Sequence, residues 1–488
     1  MNFTLSKTLY TLLASLGLAI VFNFLFFYNQ VGISVFIFVA VLLGVVFVFG
    51  RSQQLVAKDA LQNSWWLIAL IGLFSLMPAV RANGFLAFLN IVTVFGLLMV
   101  LAYHLVGVPA FMMKLRDYVV LAMLVPFRML ARMFASISFI SQVRSNVKHR
   151  DVWIRVLKGI IMAVPVLIVF ALLFSNADLA FSQFLNSVID IQVEEVTMQY
   201  LALLGFAFIA GLSYLSFIFF PKPQASPIAQ PADSAAKEGK AVEVMVFLGL
   251  IATLFIVFIG FQVTYLFGGE ANIINAGFTY AEYARRGFWE LLAVSIISLV
   301  VLFAAEKYSG SERKRHSRFL VPALILIGEV VIIIVSAFKR LSLYIDAYGI
   351  TTQRFYVASF IALLLVLFVL LAVKFVRSKR EQFFSFGALL TFAGFLAVIN
   401  IINPDGFIMK SNIKHYEKTG KVDVLYTEEL SVDALPYKLE LYDRLHGEEK
   451  EVLRNSILNH KAGLSSGSSE WQAANLSRSQ ALNILRDF

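Results

Sequence analysis

Eleven runs of about 20 apolar residues dominate this chain, and a helix of that length crosses the ~30 Å hydrocarbon core of a bilayer. The runs fall at 9–28, 31–50, 65–80, 84–107, 156–174, 199–220, 242–267, 288–305, 319–338, 354–376 and 384–402. In hydrocarbon each backbone N–H and C=O must be satisfied inside the segment, so such runs fold as helices. The expected fold class is all-α: a polytopic membrane helix bundle with about eleven transmembrane helices and a small helical C-terminal appendage. The third run is short, which a smaller tilt or thinner lipid accommodates. Composition agrees, with 59% apolar and 15% charged residues and a mean hydropathy of +0.79. A soluble domain is closer to half apolar and a quarter charged.

The net charge of +10 points to orientation rather than to nucleic acid. With a cytoplasmic N-terminus, the inner connections carry 22 Lys and Arg and the outer ones six. That asymmetry follows the positive-inside rule and predicts that the C-terminus lies outside. The first run has no small-residue cleavage site and is expected to be an uncleaved anchor. The parity depends on 111–143, which is apolar but holds Pro126, Arg128 and Arg132. Phe127, Leu130, Phe134, Ile137 and Ser141 recur at helical spacing opposite the two arginines, predicting a helix lying in the cytoplasmic interface.

Four regions result. Residues 1–220 form an N-terminal membrane region of six spans plus interfacial helices over 111–150. Residues 221–241, Pro/Ala-rich and polar, form a cytoplasmic linker. Residues 242–402 hold five spans. Residues 403–488, with 11 Lys and Arg against 13 Asp and Glu, form a helical tail on the outer face. Within the tail, Asn403–Pro404 stops the last span, Gly420 caps a first helix, helices start near Ser431 and Glu448, 463–469 is a linker, and an amphipathic helix closes the chain.

No phosphate loop, HExxH, GxSxG or strand–GxGxxG–helix unit is present, which argues against NTPases, zinc proteases and ordinary serine hydrolases. With no cysteine and six scattered histidines, neither a metal site nor a cofactor is expected. The charged exception is YLFGGEANIINAGFTYAEYARRGFWELL (265–292), between two spans on the outer side. As a helix, Glu282–Arg286 and Arg286–Glu290 are i,i+4 pairs, with Tyr280, Tyr283 and Trp289 at headgroup depth. Two readings stand: a self-satisfied structural clamp, or an anion site on Arg285 and Arg286 with Glu282 accepting a proton. The outer connection 339–354 adds Lys339, Arg340 and Arg354 on the same face, with Tyr344 and Tyr348 as anchors or contacts and Gly349 as a helix breaker. Glu329 lies in mid-span, where a charge costs about 2.5–3.5 kcal/mol. It is expected neutral and hydrogen-bonded to a neighbouring helix, or else part of a proton relay. His104, Gln262 and Asn400 are expected to join helices.

These strings, YLFGG…TYAEYARRGFWEL, YIDAYGITTQR, NPDGFI and LSVDALP, resemble bacterial membrane proteins of domain-of-unknown-function family 4173, with the related 4153 group, over residues 240–445. The positions that carry the resemblance are Tyr280, Glu282, Tyr283, Arg285, Arg286, Gly287, Tyr348, Gly349, Thr351, Arg354, Asn403, Pro404 and Asp433. Gly406 stands where a larger residue is expected. The resemblance implies a multi-pass plasma-membrane protein and carries no catalytic role with it.

Three functions remain open. The first is a non-enzymatic envelope sensor, scaffold or assembly partner that meets another protein through 403–488 and the Arg/Glu/Tyr site on the outer face. The second is a membrane enzyme acting outside on an anionic lipid-linked or envelope substrate. The third is a proton- or ion-coupled transporter using Glu329. The lipid bilayer is the one partner common to all three.

Overall fold

The computed structural model describes residues 5–52, 58–143, 195–220, 240–266, 288–309, 313–466, 470–486 and 488. Among them the secondary structure is helical, without strands. The membrane helices are α1 (Leu5–Phe26), α2 (Ser34–Ser52), α4 (Trp65–Val80), α5 (Gly84–Leu105), α7 (Glu195–Phe219), α8 (Lys240–Leu266), α9 (Phe288–Ser309), α10 (Arg313–Tyr348), α11 (Thr352–Val376) and α12 (Glu381–Ile402). Nine of these are long and apolar enough to span; α4, with 16 residues and Pro78 inside it, is the short one. A small helix α3 (Lys58–Gln62) precedes α4, and α6 (Leu115–Val143) follows α5. The expected span at 156–174 and most of the linker 221–241 lie outside the described residues.

Two helix ends show why the chain turns where it does. Asn403 adopts a left-handed backbone (φ 59°), ends α12 and caps α13 (Pro404–Thr419), with Pro404 pre-set for the first helical turn. Gly349 (φ 74°) ends α10 and Thr351 caps α11. The tail continues through α14 (Leu435–Arg444), α15 (Gly447–Ser466) and α16 (Leu476–Ile484). Helix α15 therefore runs into the expected linker 463–469.

Two further expectations need correction. Residues 339–348 are not a connection: α10 runs unbroken for 36 residues, about 54 Å. A helix of that length exceeds the ~30 Å hydrocarbon core, so charged residues at its end need not oppose helix formation. In α6, the buried stripe is Leu121, Val125, Met129 and Met133, joined by Arg132, while Phe127 is 68% exposed. Leu130, Phe134 and Ile137 are half-buried, so the side expected to be apolar is not the one that the bundle buries. In a bilayer an apolar side chain has little reason to face inward, whereas an arginine does.

Buried apolar side chains form two groups. One joins α1, α2, α4, α5, α6 and α7 to α12 and the tail; the other joins α8, α9, α10 and α11. Helix α12 packs with the N-terminal helices through Ala393, Leu396 and Ile399. The tail sits on one end of the bundle, touching the α1–α2, α4–α5 and α10–α11 connections. Ile33 N–H donates to Ala474 O (3.1 Å), and Asn475 Nδ2 to the carbonyls of Pro78 (2.8 Å) and Arg81 (2.9 Å). A Cβ on Gly32 would lie 2.7 Å from the Ala473 carbonyl, so only glycine fits there. At the opposite end, Leu115 N–H donates to Glu381 Oε1 (3.2 Å), Arg128 to the Tyr103 hydroxyl (2.9 Å), and Lys374 pairs with Glu306.

Candidate functional site

The sequence candidates divide sharply. Tyr280, Glu282, Tyr283, Arg285 and Arg286 lie outside the described residues. Glu290 is exposed in the first turn of α9. Arg354, in the first turn of α11, donates to the carbonyls of Tyr348 (3.2 Å) and Gly349, and its guanidinium stands 4.0 Å from the Tyr344 ring centroid. It closes the C-terminus of α10, where a cation meets the negative end of the helix dipole. Tyr348 is exposed, its ring 5.3 Å from that of Tyr344. Arg340 is buried two turns further back along α10, about 12 Å from Tyr348 by helical rise. Arg354 thus closes a helix end. Glu329 is 6% exposed, and neither carboxyl oxygen finds a hydrogen-bond partner among the described residues. The interhelical bond expected for it is not made there.

A different cluster does converge, at the seam between tail and bundle. Asn83 sits in the α4–α5 turn, where its Oδ1 accepts from Leu86 N–H (2.8 Å) and so caps α5. Its Nδ2 donates to Asp405 Oδ2 (2.8 Å) and its N–H to Asp433 Oδ2 (3.0 Å). Ala82 N–H reaches the same Asp433 oxygen (2.9 Å). Ser431 binds both acids, its N–H donating to Asp405 (3.0 Å) and its hydroxyl to Asp433 (3.3 Å). Nearby, Arg81 donates to the carbonyls of Asn400 (2.8 Å) and Ile401 (3.1 Å), closing the end of α12. The motifs NPDGF and LSVDALP therefore meet on the RAN turn at 81–83.

Both acids are buried, Asp405 at 1% and Asp433 at 5% exposure. Burial pushes the Asp433 carboxyl above its ordinary range; the Ser477 hydroxyl and the two backbone N–H groups pull it back, and the Asp405 charge pushes it up again. Asp405 Oδ1, Asp433 Oδ1 and the Tyr356 hydroxyl find no partner among the described residues. Deeper in the tail, Lys438 is fully buried, donating to Leu430 O (3.0 Å) and lying 2.8 Å from His460 Nε2. Burial draws the Lys438 amine down to about 8 and, with the Lys438 charge, the His460 imidazole down to about 4. A neutral His460 accepting from a charged Lys438 satisfies both. Two further clasps hold α13 and 425–429 to the α10–α11 turn. Asn412 brackets Ile350 through its N–H (2.8 Å) and carbonyl (2.9 Å), and the Tyr426 hydroxyl accepts from Thr352 N–H (2.5 Å).

The tail's exposed charges include a row of lysines and an acidic stretch. Lys410, Lys414 and Lys418 recur along the exposed side of α13, in line with exposed Phe407, and Lys421 follows Gly420. The side chains Asp443, Glu448, Glu449 and Glu451 are exposed on α14 and α15. Arg444 is occupied by Glu417 and Glu440. Among the described residues no group of three or more His, Asp or Glu is placed to hold a metal ion.

Sequence reasoning found Asn403 and Asp433 but overlooked Asn83, Asp405 and Ser431 as partners. The one available signal was Asn83 immediately before an apolar run, the position of a helix N-cap. A family model described as "Domain of unknown function (DUF4153)" matches residues 68–441, which include the whole Asn83–Asp405–Asp433 seam. No curated protein and no solved structure matches the chain.

Proposed function

The chain belongs to the DUF4153 family, and on that premise we propose that this multi-pass membrane protein is a non-enzymatic scaffold or assembly partner of the bacterial plasma membrane. Its tail is read as lying outside, with the N-terminus in the cytoplasm, and the kinship extends to the related 4173 group through the YAEYARRGF string. One observation carries this reading: the tail is latched to the bundle by buried carboxylates and asparagines, so it offers a partner a fixed surface rather than a swinging domain. A pre-ordered surface loses less entropy on binding. The exposed acids of α14 and α15 are the surface to test. In-cell crosslinking of the full chain is expected to lose its partner in Asp443→Lys/Glu448→Lys/Glu449→Lys. If that variant and a chain lacking 403–488 both keep the same partners, the reading fails.

The lysine row on α13 favours a second reading, a membrane enzyme acting outside on an anionic lipid-linked or envelope substrate. Full complementation of a deletion strain by Glu282→Gln, Arg285→Ala, Arg286→Ala and Lys410→Gln/Lys414→Gln/Lys418→Gln would remove it. The transporter reading rests on the buried mid-span carboxyl of Glu329, and unchanged function in Glu329→Leu would leave it without support.

A further inference from the structure

At the end of the bundle away from the tail, α10 and α11 part to leave a groove of about 360 Å³. Ile327 and Val331 form one wall, and Val369, Val373 and Val376 the other. Arg377, just past the last turn of α11, stands at the mouth. Val369 and Val376 are 54% and 59% exposed, on a helix long and apolar enough to span, so the groove opens sideways to hydrocarbon. From Val369 to Arg377 the helix rises about 12 Å. Arg377, Lys379 and Arg380 are all exposed in the α11–α12 connection. The adjoining acid, Glu381, is engaged by Leu115 N–H.

We propose that this groove holds one acyl chain of a phospholipid whose phosphate lies against Arg377, with Lys379 and Arg380 favouring an anionic headgroup. Aliphatic walls open to the bilayer interior are matched by hydrocarbon and by nothing polar. A guanidinium grips phosphate oxygens in pairs, and basic residues between membrane helices are suited to anionic lipid headgroups. The depth and the charge belong to one molecule: a chain in the groove brings its phosphate to the level of Arg377. The recognised chemistry is a phosphate ester, which lipid and free phosphate share, and the chain-binding walls distinguish them.

The test is native mass spectrometry of the full chain in detergent with equal amounts of phosphatidylglycerol and phosphatidylcholine. One phosphatidylglycerol should be retained per chain at activation energies that strip the rest. Arg377→Gln, an exposed change that leaves packing intact, should lower the phosphatidylglycerol-to-phosphatidylcholine ratio about fivefold. Val373→Trp, which fills the groove, should abolish retention of both lipids, and millimolar inorganic phosphate should displace neither. An unchanged ratio in Arg377→Gln overturns the proposal, as does lipid retained by a folded Val373→Trp or displaced by free phosphate. Should Val373→Trp not fold, Arg377→Gln decides alone.

Discussion

Asn90 on α5 and Asn400 on α12 exchange a reciprocal pair of amide hydrogen bonds, each 2.9 Å, although 310 residues separate them. Each Nδ2 also donates to the carbonyl four residues back, Leu86 for Asn90 (2.9 Å) and Leu396 for Asn400 (2.8 Å). Both side chains are buried. The pair ties the helix that carries the tail to the helix capped by Asn83, so it and the seam hold the same two elements.

A double-mutant cycle should therefore show coupling. Asn90→Leu and Asn400→Leu are each expected to destabilise the protein by about 1 kcal/mol, with a pairwise term of about 0.6–1.7 kcal/mol. The reading is the unfolding midpoint in detergent, and strictly additive losses would show that the two amides do not act together.

Gly349 offers a sharper contrast. Its φ is 74°, and an added Cβ would lie 2.9 Å from Asn412 Oδ1, the oxygen that accepts Ile350 N–H. Gly349→Ala should cost about 2–3 kcal/mol and loosen α13 from the α10–α11 turn. Gly107→Ala, at φ 97° but with open space around it, should cost only its backbone strain, about 1–2 kcal/mol. Equal losses in thermal unfolding would refute a role for the Asn412 contact.

Asp433 sets one pH dependence. Its folded-state carboxyl titrates above its ordinary value of 3.8, so between those two values the folded protein binds more protons than the unfolded chain. Its contribution to tail docking falls as pH rises through that window. Amide exchange at Leu86 and Ala87 should accelerate as pH rises there, after correction for intrinsic rates, and Asp433→Asn should flatten the trend. A profile identical in both proteins would remove Asp433 as the cause.

The Lys438–His460 pair works in the opposite sense. With His460 drawn down to about 4, the unfolded chain binds the extra proton between pH 6.5 and 4. Stability is lost on acidification through that range, by at most about 1.4 kcal/mol per pH unit. His460→Gln should blunt the loss, measured by limited proteolysis of the tail at pH 4.5 and 7. An unaltered acid sensitivity would place its origin elsewhere.

The absence of cysteine makes topology directly testable. Ser378→Cys, in the α11–α12 connection, and Lys418→Cys, on α13, are both at exposed positions on opposite ends of the bundle. An impermeant maleimide should label only the second in intact spheroplasts and both after lysis. Labelling of Ser378→Cys alone would invert the proposed orientation.

What the sequence disclosed and what it hid have the same physical origin. Apolar runs declare spans because hydrocarbon imposes one backbone solution, and Asn403–Pro404, Gly349 and Gly420 declare helix ends because left-handed or proline-fixed backbone admits few residues. The seam was hidden because its partners are distant in the chain: Asn83 reaches Asp405 across 322 residues and Asp433 across 350. No local pattern marks such a pair. The last turns of α10 read as a loop because lysine, arginine and aspartate at headgroup level look alike whether helical or not. In α6, periodicity identified the helix but not which face the bundle would take, since lipid accepts the apolar one equally well.

Asn403 ends one helix and begins the next, leaving no slack between α12 and α13. A lever of 16 residues, about 24 Å long, is thus welded to a membrane-spanning shaft. If thicker lipid drew the bundle upright by about 10°, the tail latched to it would turn with it as one body, and the far end of α13 would travel about 4 Å. The bilayer's thickness would then be legible at the tail surface, as a displacement that paired spin labels could record.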